Sequence, residues 1–462
     1  MPEHKQGGCL KSSQQTQIPC PHTSPLFEEE ERAMKPFVTI SLVVVLALLF
    51  AACSSATPTA VPPTQAPAAT QAPAATQAPA ATQAPSSGQL SGLDKYGERY
   101  DADPAVLKKA VGTTEGIPQV ALAAFYRAGL PVDDARMALA LKCFKDNVCD
   151  TGTGGKVTVA LADGFGENFW RQMTKMEFIL QALTYPEIGK IIYVTASGDT
   201  QKSISDFKSL VAQKVDAIVF FPDAGEALLP AVRDATAQGI PAISHSYGKI
   251  GEPGKDYPTF VAEDVCKLGQ LFAQTLNKEV VKGKVAFLGG TPGNPLSAYW
   301  QGCEEKELSK DLTLVGKADT SWTQQGTLEA VSGLISSNPD IKGYSYEAAD
   351  SFLGGVRAYE AAKLPLDIVL TLRTDEVDMF CEWKNINNPN FKIFYGSGGN
   401  YQSRIALTAA MMKLKGYDLP ADGIIIPTVM RQVDANTCNP DMPQQASLSS
   451  LIPIPIFKQM GQ

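Results

Sequence analysis

From Lys156 onward the chain repeats one pattern: a short apolar run stops at Gly, Pro or Asp, and an amphipathic stretch follows. The runs at 156–163, 190–196, 215–222, 240–245, 259–262, 284–289, 312–318, 343–346, 367–372 and 392–395 read as strands. The stretches at 166–183, 200–213, 224–238, 263–280, 297–310, 324–337, 351–362 and 402–415 carry helical spacing, several with polar caps in front. Repeated βα units of this kind require parallel strands covered by helices on both faces. A longer break at 246–256 and a fresh start at Lys284 favour two doubly wound parallel-sheet lobes over one ten-stranded sheet. Ligands of such sheets bind beyond the carboxyl ends of the strands, so two facing lobes turn those loops into a cleft.

Composition removes other classes of function. Lys and Arg number 40 against 48 Asp and Glu, a formal charge of -8, and no basic run suits a phosphate backbone, so no nucleic-acid partner is expected. Of His4, His22 and His245 only the last lies in the body, which excludes a zinc site with several His ligands. No metal site, cofactor or catalytic residue is expected. Gly164-Phe165-Gly166 lacks the third glycine of a dinucleotide loop, because Phe169 stands there. The Gly-rich run 289–295 has no Gly-Lys-Ser/Thr after it, and no Gly-x-Ser-x-Gly elbow serves His245. A glycosidase built on paired carboxylates is the enzymatic alternative.

The segments before the body carry an address. Met34 and Lys35 precede an apolar run from Phe37 to Ala52, too short to span a bilayer and ending in small residues, as in an export signal. Leu49-Phe50-Ala51-Ala52-Cys53 resembles a bacterial lipobox, which implies lipidation of Cys53, cleavage before it and an extracytoplasmic chain anchored to the membrane by lipid. Residues 1–33 then read as an over-extended gene start and 34–53 as the signal peptide. In 54–89 Thr-Gln-Ala-Pro recurs from Thr64, Thr70, Thr76 and Thr82, a composition that favours an extended spacer. Residues 90–153 hold three short helical patterns, at 105–111, 117–128 and 133–145, expected to cap the first lobe.

Six cysteines follow Cys53: Cys143, Cys149, Cys266, Cys303, Cys381 and Cys438. An even number in an oxidising compartment suits disulfides. Cys143 with Cys149 is a local bridge and Cys381 with Cys438 would tie down the tail, while buried free thiols stay open as the alternative.

The strand-end loops hold the chemistry of a sugar site. Trp170, Trp300 and Trp322 each follow a strand, and indole faces stack on pyranose or furanose C–H faces. Asn168, Asp223, His245, Gln301, Asp350, Asp375 and Asn400 occupy the same loops and can pair with hydroxyls. Helix capping by the aspartates, a satisfied loop histidine and a surface glutamine are the plain alternatives.

The body from Lys156 to Ile456 resembles a type I periplasmic binding protein of the ribose and galactose class, the receptor of a sugar ABC transporter. The likeness rests on Asn168-Phe169-Trp170 after the first strand and on Val215-Asp216-Ala217-Ile218-Val219 leading to Pro222-Asp223. Gln238-Gly239-Ile240-Pro241-Ala242-Ile243 and Ser337-Asn338-Pro339-Asp340-Ile341-Lys342 extend it. It implies that Asn168, Phe169 and Trp170 stack on and hydrogen-bond a sugar, and that 154–262 with 397–426 form one lobe and 263–396 with 427–462 the other. It further implies a monomeric, hinged receptor that closes on a small sugar or polyol and docks on an ABC transporter permease. A sensory ligand-binding subunit shares that fold. The chain departs from the family at Ser244-His245-Ser246 and at Gln301-Gly302, where cationic side chains are common.

Overall fold

The computed structural model describes residues 92–166, 168–246 and 249–460, all within the compact unit 78–462. The export signal, Cys53 and the Thr-Gln-Ala-Pro spacer lie outside the described residues.

Three helices come first, α1 (Pro104–Val111), α2 (Gln119–Ala128) and α3 (Asp134–Lys145), followed by strand β1 (Val148–Asp150). Then β2 (Val157–Asp163), α4 (Phe169–Ala182), β3 (Ile188–Thr195), α5 (Thr200–Ala212), β4 (Ala217–Phe220), α6 (Leu229–Ala237), β5 (Ala242–His245) and β6 (Thr259–Glu263) build the first lobe. The second comprises α7 (Val265–Glu279), β7 (Gly283–Gly289), α8 (Pro295–Glu307), β8 (Leu312–Asp319), α9 (Gln324–Ser337), β9 (Ile341–Tyr346), α10 (Leu353–Ala362), β10 (Val369–Leu372), α11 (Val377–Ile386) and β11 (Lys392–Tyr395). The chain returns to the first lobe as α12 (Gln402–Leu414) and β12 (Ile424–Ile426), crosses again as β13 (Arg431–Gln432), and ends in α13 (Ile454–Met460).

The sheets run β1-β3-β2-β4-β5-β6-β12 and β13-β11-β10-β9-β7-β8. All pairings are parallel except two at the edges, β1 with β3 and β13 with β11. The expected two doubly wound parallel-sheet lobes are present, and antiparallel pairing is confined to these edges. Both edge strands are short pieces arriving from outside the βα repeat, so nothing obliges them to run with it.

Each strand feeds two cores because successive side chains alternate faces. Val159 and Leu161 of β2 pack with α2, α4 and α12, while Ala160 and Ala162 pack with α5 and α6. In the second lobe Ala286 and Leu288 face α9 and α10, and Val285 and Phe287 face α7 and α8. Residues buried on both faces leave no polar alternation, which is why these strands read as continuous apolar runs.

The leading helices are part of the first lobe's core. Ala121, Ala124 and Phe125 of α2 are fully buried, and Arg127 donates to the Glu98 carboxylate at 2.6 Å and to the carbonyl of Thr184. Disulfides join Cys143 to Cys149, Cys266 to Cys303 and Cys381 to Cys438, tying α3 to β1, α7 to α8 and α11 to the tail.

The tail departs from the expectation that 427–462 belongs to the second lobe. Its backbone runs beside the loop after β10, where Val377 donates to the carbonyl of Ala446 and Leu448 to that of Asp375. Beyond that it returns to the first lobe: Leu451 N–H donates to Glu177 of α4 at 2.7 Å, and Ile456, Phe457 and Met460 join the core around α4. Apolar residues at 452, 456, 457 and 460 form a helical stripe, and the first lobe has the open face that takes it.

Candidate functional site

The site lies at the strand ends facing from the two sheets. Loops after β2, β3 and β4 on one side, and after β7, β8, β9 and β10 on the other, enclose a cavity of about 380 Å³. Short polar residues start the helices that leave it: Asn168 caps α4, Asp199 caps α5, Asn294 caps α8 and Thr323 caps α9. Their side chains accept the first free N–H groups of each helix and so anchor the loops at the cavity wall.

Six of the expected residues meet there: Asn168, Phe169, Trp170, Asp223, Trp322 and Asp350. Trp170 stands half-buried on the first lobe, its indole N–H donating at 2.7 Å to the carbonyl of Gly398, where the chain crosses between lobes. Trp322 stands on the second, its indole N–H donating to Glu347 Oε2 at 2.6 Å. Asp223 is no helix cap; it accepts from Arg171 Nη2 at 2.8 Å and from the backbone of Gly164. Arg171 also holds Asp163 at 2.9 Å, and its guanidinium carbon stands 3.7 Å from the ring centre of Phe221.

Five expected residues lie elsewhere, each for a stated reason. Trp300 is fully buried against Phe272 and Phe287, its N–H donating to Glu347 Oε1 at 2.7 Å. It sits five residues into α8, which leads away from the cavity at about 1.5 Å per residue, so only the first turn reaches the wall. Gln301 shares that depth and is buried beside Gly289. His245 ends β5 with its ring 4.1 Å from that of Phe221; burial first, then Arg171, pull its pKa down to about 3 and keep the imidazole neutral. Asn400 turns into the first lobe, where its amide donates to the carbonyl of Trp170 at 3.0 Å. Asp375 is buried and accepts from Ser449 N at 2.9 Å, and burial raises its pKa against the pull of Arg431.

Residues that the sequence reading passed over fill their places. Arg373, Thr374 and Glu376 surround Asp375 in the chain and line the cavity while Asp375 points back toward the tail. Glu347, next after β9, accepts the hydroxyl of Ser297 and the indole N–H groups of Trp300 and Trp322. Phe165, an exposed aromatic ring, forms the rim on the first lobe. Their common signal is position: each lies within four residues of a strand's carboxyl end. Arg373 is paired with Glu263 at the end of β6, so this ion pair spans the crossing between lobes.

A cavity with an indole and carboxylates on each wall can hold a small polar molecule against both lobes at once. Glu347 and Arg171 are prefixed by several partners each, so they meet a ligand with little ordering cost.

A family model described as periplasmic binding protein domain matches residues 159–418. Among curated proteins, the ribose import binding protein of Bacillus subtilis (strain 168) is 29% identical over 174 residues, which is 37% of this chain and 56% of that protein. The xylitol-binding protein of Mycolicibacterium smegmatis is 26% identical over 178 residues, 37% of this chain and 50% of that one. The chain thus spans about half the length of the curated relatives it matches. A solute binding protein of an ABC transporter from Actinobacillus succinogenes 130z, solved with bound D-allose, superposes with a TM-score of 0.53 at 22% identity, covering 60% of this chain and 98% of that one. That likeness is one of fold.

Proposed function

The chain belongs to the periplasmic binding protein domain family, and on that premise we propose that it is an extracytoplasmic receptor for a small sugar or polyol, serving an ABC transporter. The observation that carries the reading is the placement of Trp170 and Trp322 on the two walls of one cavity. A ligand favours the closed arrangement only through contacts it gains there, so residues of both lobes must touch it. Asn168, Phe169, Trp170 and Asp223 serve on the first lobe in this reading, and Trp322 and Asp350 on the second. Such a receptor binds and releases its ligand without changing it. The relatives named above are binding proteins, in line with this.

Release to a permease follows from lobe opening. Anchoring through lipidated Cys53 would keep the receptor beside that permease, with residues 54–89 as the tether. A thermal-shift screen of pentoses, hexoses and polyols tests the binding step: ligand at 100 times its Kd adds ~2.7 kcal/mol of stability. A panel without any shift counts against the reading, and so does hydrolysis of a glycoside by the purified protein.

A further inference from the structure

One stretch of the cavity wall comes from neither set of strand-end loops. Gln445, in the tail after β13, lines the cavity together with Thr374 and Glu376 of the loop after β10. It lies beyond residue 418, where the match to the periplasmic binding protein domain ends, so this part of the wall belongs to a segment outside that match.

The tail is pinned where it reaches the wall. Ala446 N–H donates to the carbonyl of Pro443 at 3.0 Å, closing a turn with Gln444 and Gln445 at its corner. The turn is docked on the start of α11, because Asp378 N–H donates to the carbonyl of Gln444 at 2.8 Å and Val377 N–H to that of Ala446 at 3.0 Å. Ala446 itself is fully buried in the core around α4, and Ser447 pairs with Glu376. A corner held on both sides presents Gln445 from a fixed backbone, so only its side chain is left for a ligand to order.

Several other polar groups at the wall are already engaged. Glu376 accepts from Thr374 and from the N–H of Ala349, Glu347 from Ser297 and the two indoles, and Asp223 from Arg171. The side chain of Gln445 is exposed and makes no hydrogen bond among the described residues, so its carbonyl and its two N–H donors are open to whatever enters the cavity. An amide that donates and accepts at once suits a pair of adjacent hydroxyls, the group that sugars and polyols repeat. It also asks no charge of its ligand, in keeping with a wall whose cations, Arg171 and Arg373, are each matched by carboxylates.

We propose that Gln445 is a ligand-contacting residue whose amide hydrogen-bonds adjacent hydroxyls, and that the tail is thereby a third wall of the site. The inference rests on the sugar or polyol reading of the same cleft and adds a residue to it.

Calorimetric titration of the full chain with D-ribose, D-xylose, D-allose, D-glucose and xylitol tests it. Gln445→Ala is expected to weaken the tightest of these about 10-fold, with the Tm of the unliganded protein unchanged because the side chain has no partner to lose. Gln445→Met keeps the stem and removes the amide, and is expected to lose as much. Gln444→Ala is the control: its side chain does not line the cavity, and its affinity is expected to stay within about twofold of the parent. A loss under about fivefold in Gln445→Ala, full affinity in Gln445→Met, or a matching loss in Gln444→Ala overturns the role of Gln445 and leaves the sugar receptor standing. Binding of none of these compounds to the unsubstituted chain overturns both readings. Should Gln445→Ala fail to fold, Gln445→Met decides alone.

Discussion

Trp322 and Glu347 are joined by a hydrogen bond of 2.6 Å, and the tryptophan makes it from a left-handed backbone position, φ 52°. A bulky residue in that region is held there at a cost of order 1–3 kcal/mol, which surrounding contacts must outweigh. The indole is thereby aimed, its N–H on the carboxylate and its ring close against Gly290 at the cavity wall.

Replacing either indole removes a wall. Trp170→Ala and Trp322→Ala are each expected to weaken ligand binding by ~1–3 kcal/mol while far-UV circular dichroism stays unchanged. Unaltered affinity in both variants would falsify the assignment of the cleft.

Trp322→Phe separates stacking from aiming. The ring face remains, but Glu347 loses one of its three donors, so a further loss of about 1 kcal/mol in affinity is expected relative to the starting chain. Titration calorimetry on both proteins reads the difference, and equality would show that the 2.6 Å bond has no part in binding.

His245 makes the fold sensitive to acid. Its folded pKa is about 3 against an ordinary value of 6.5, so between those values the unfolded chain binds the extra proton and stability falls as pH falls. The loss is of order 1 kcal/mol per pH unit within that window. Urea midpoints measured at pH 7 and pH 4.5 should differ less for His245→Gln than for the parent; an unchanged difference would remove His245 as its source.

Asp378 acts with the opposite sign. Burial, then Asp350, push its pKa up to about 7 from 3.8, so the folded state holds a proton that the unfolded chain has released. Its contribution is greatest below pH 3.8 and declines as pH rises to about 7. Asp378→Asn is expected to flatten that decline, again in urea midpoints, and a steeper decline would contradict the placement.

The Cys381–Cys438 bridge spans a sequence separation of 57 and holds the tail to α11. Replacing both by Ser is expected to lower stability by ~2–4 kcal/mol, seen as a lower Tm, with ligand affinity little changed because neither cysteine lines the cavity. A variant that keeps its Tm but loses binding would show instead that the bridge shapes the site.

Much of the architecture could be read in advance because it is periodic. Strands such as β2 and β7 are apolar on both faces, and helices such as α4 and α5 begin at Asn168 and Asp199, so local chemistry announces both element and boundary. Edge strands β1 and β13, of three and two residues, carry too little pattern to stand out. The tail was misplaced for a related reason: its apolar stripe specifies that it must be covered, but not by which lobe.

At the site the same division holds. That candidate residues gather at strand ends follows from the βα repeat alone, and Asn168, Trp170, Asp223, Trp322 and Asp350, expected by that rule, line the cavity. Whether a side chain one residue further on faces ligand or core depends on the turn of a loop or helix, which nearby sequence does not set. So Asp375 turns to Ser449 while Thr374 and Glu376 face the cavity, and Trp300 sinks into the core while Trp322 remains at the wall. The sequence by itself determined the alternating layers and the edge where ligands meet them, because periodicity and capping act over a few residues. Only the tertiary structure decided which strand-end side chains line the cavity and which sink into the core, because that choice depends on groups brought together from distant parts of the chain.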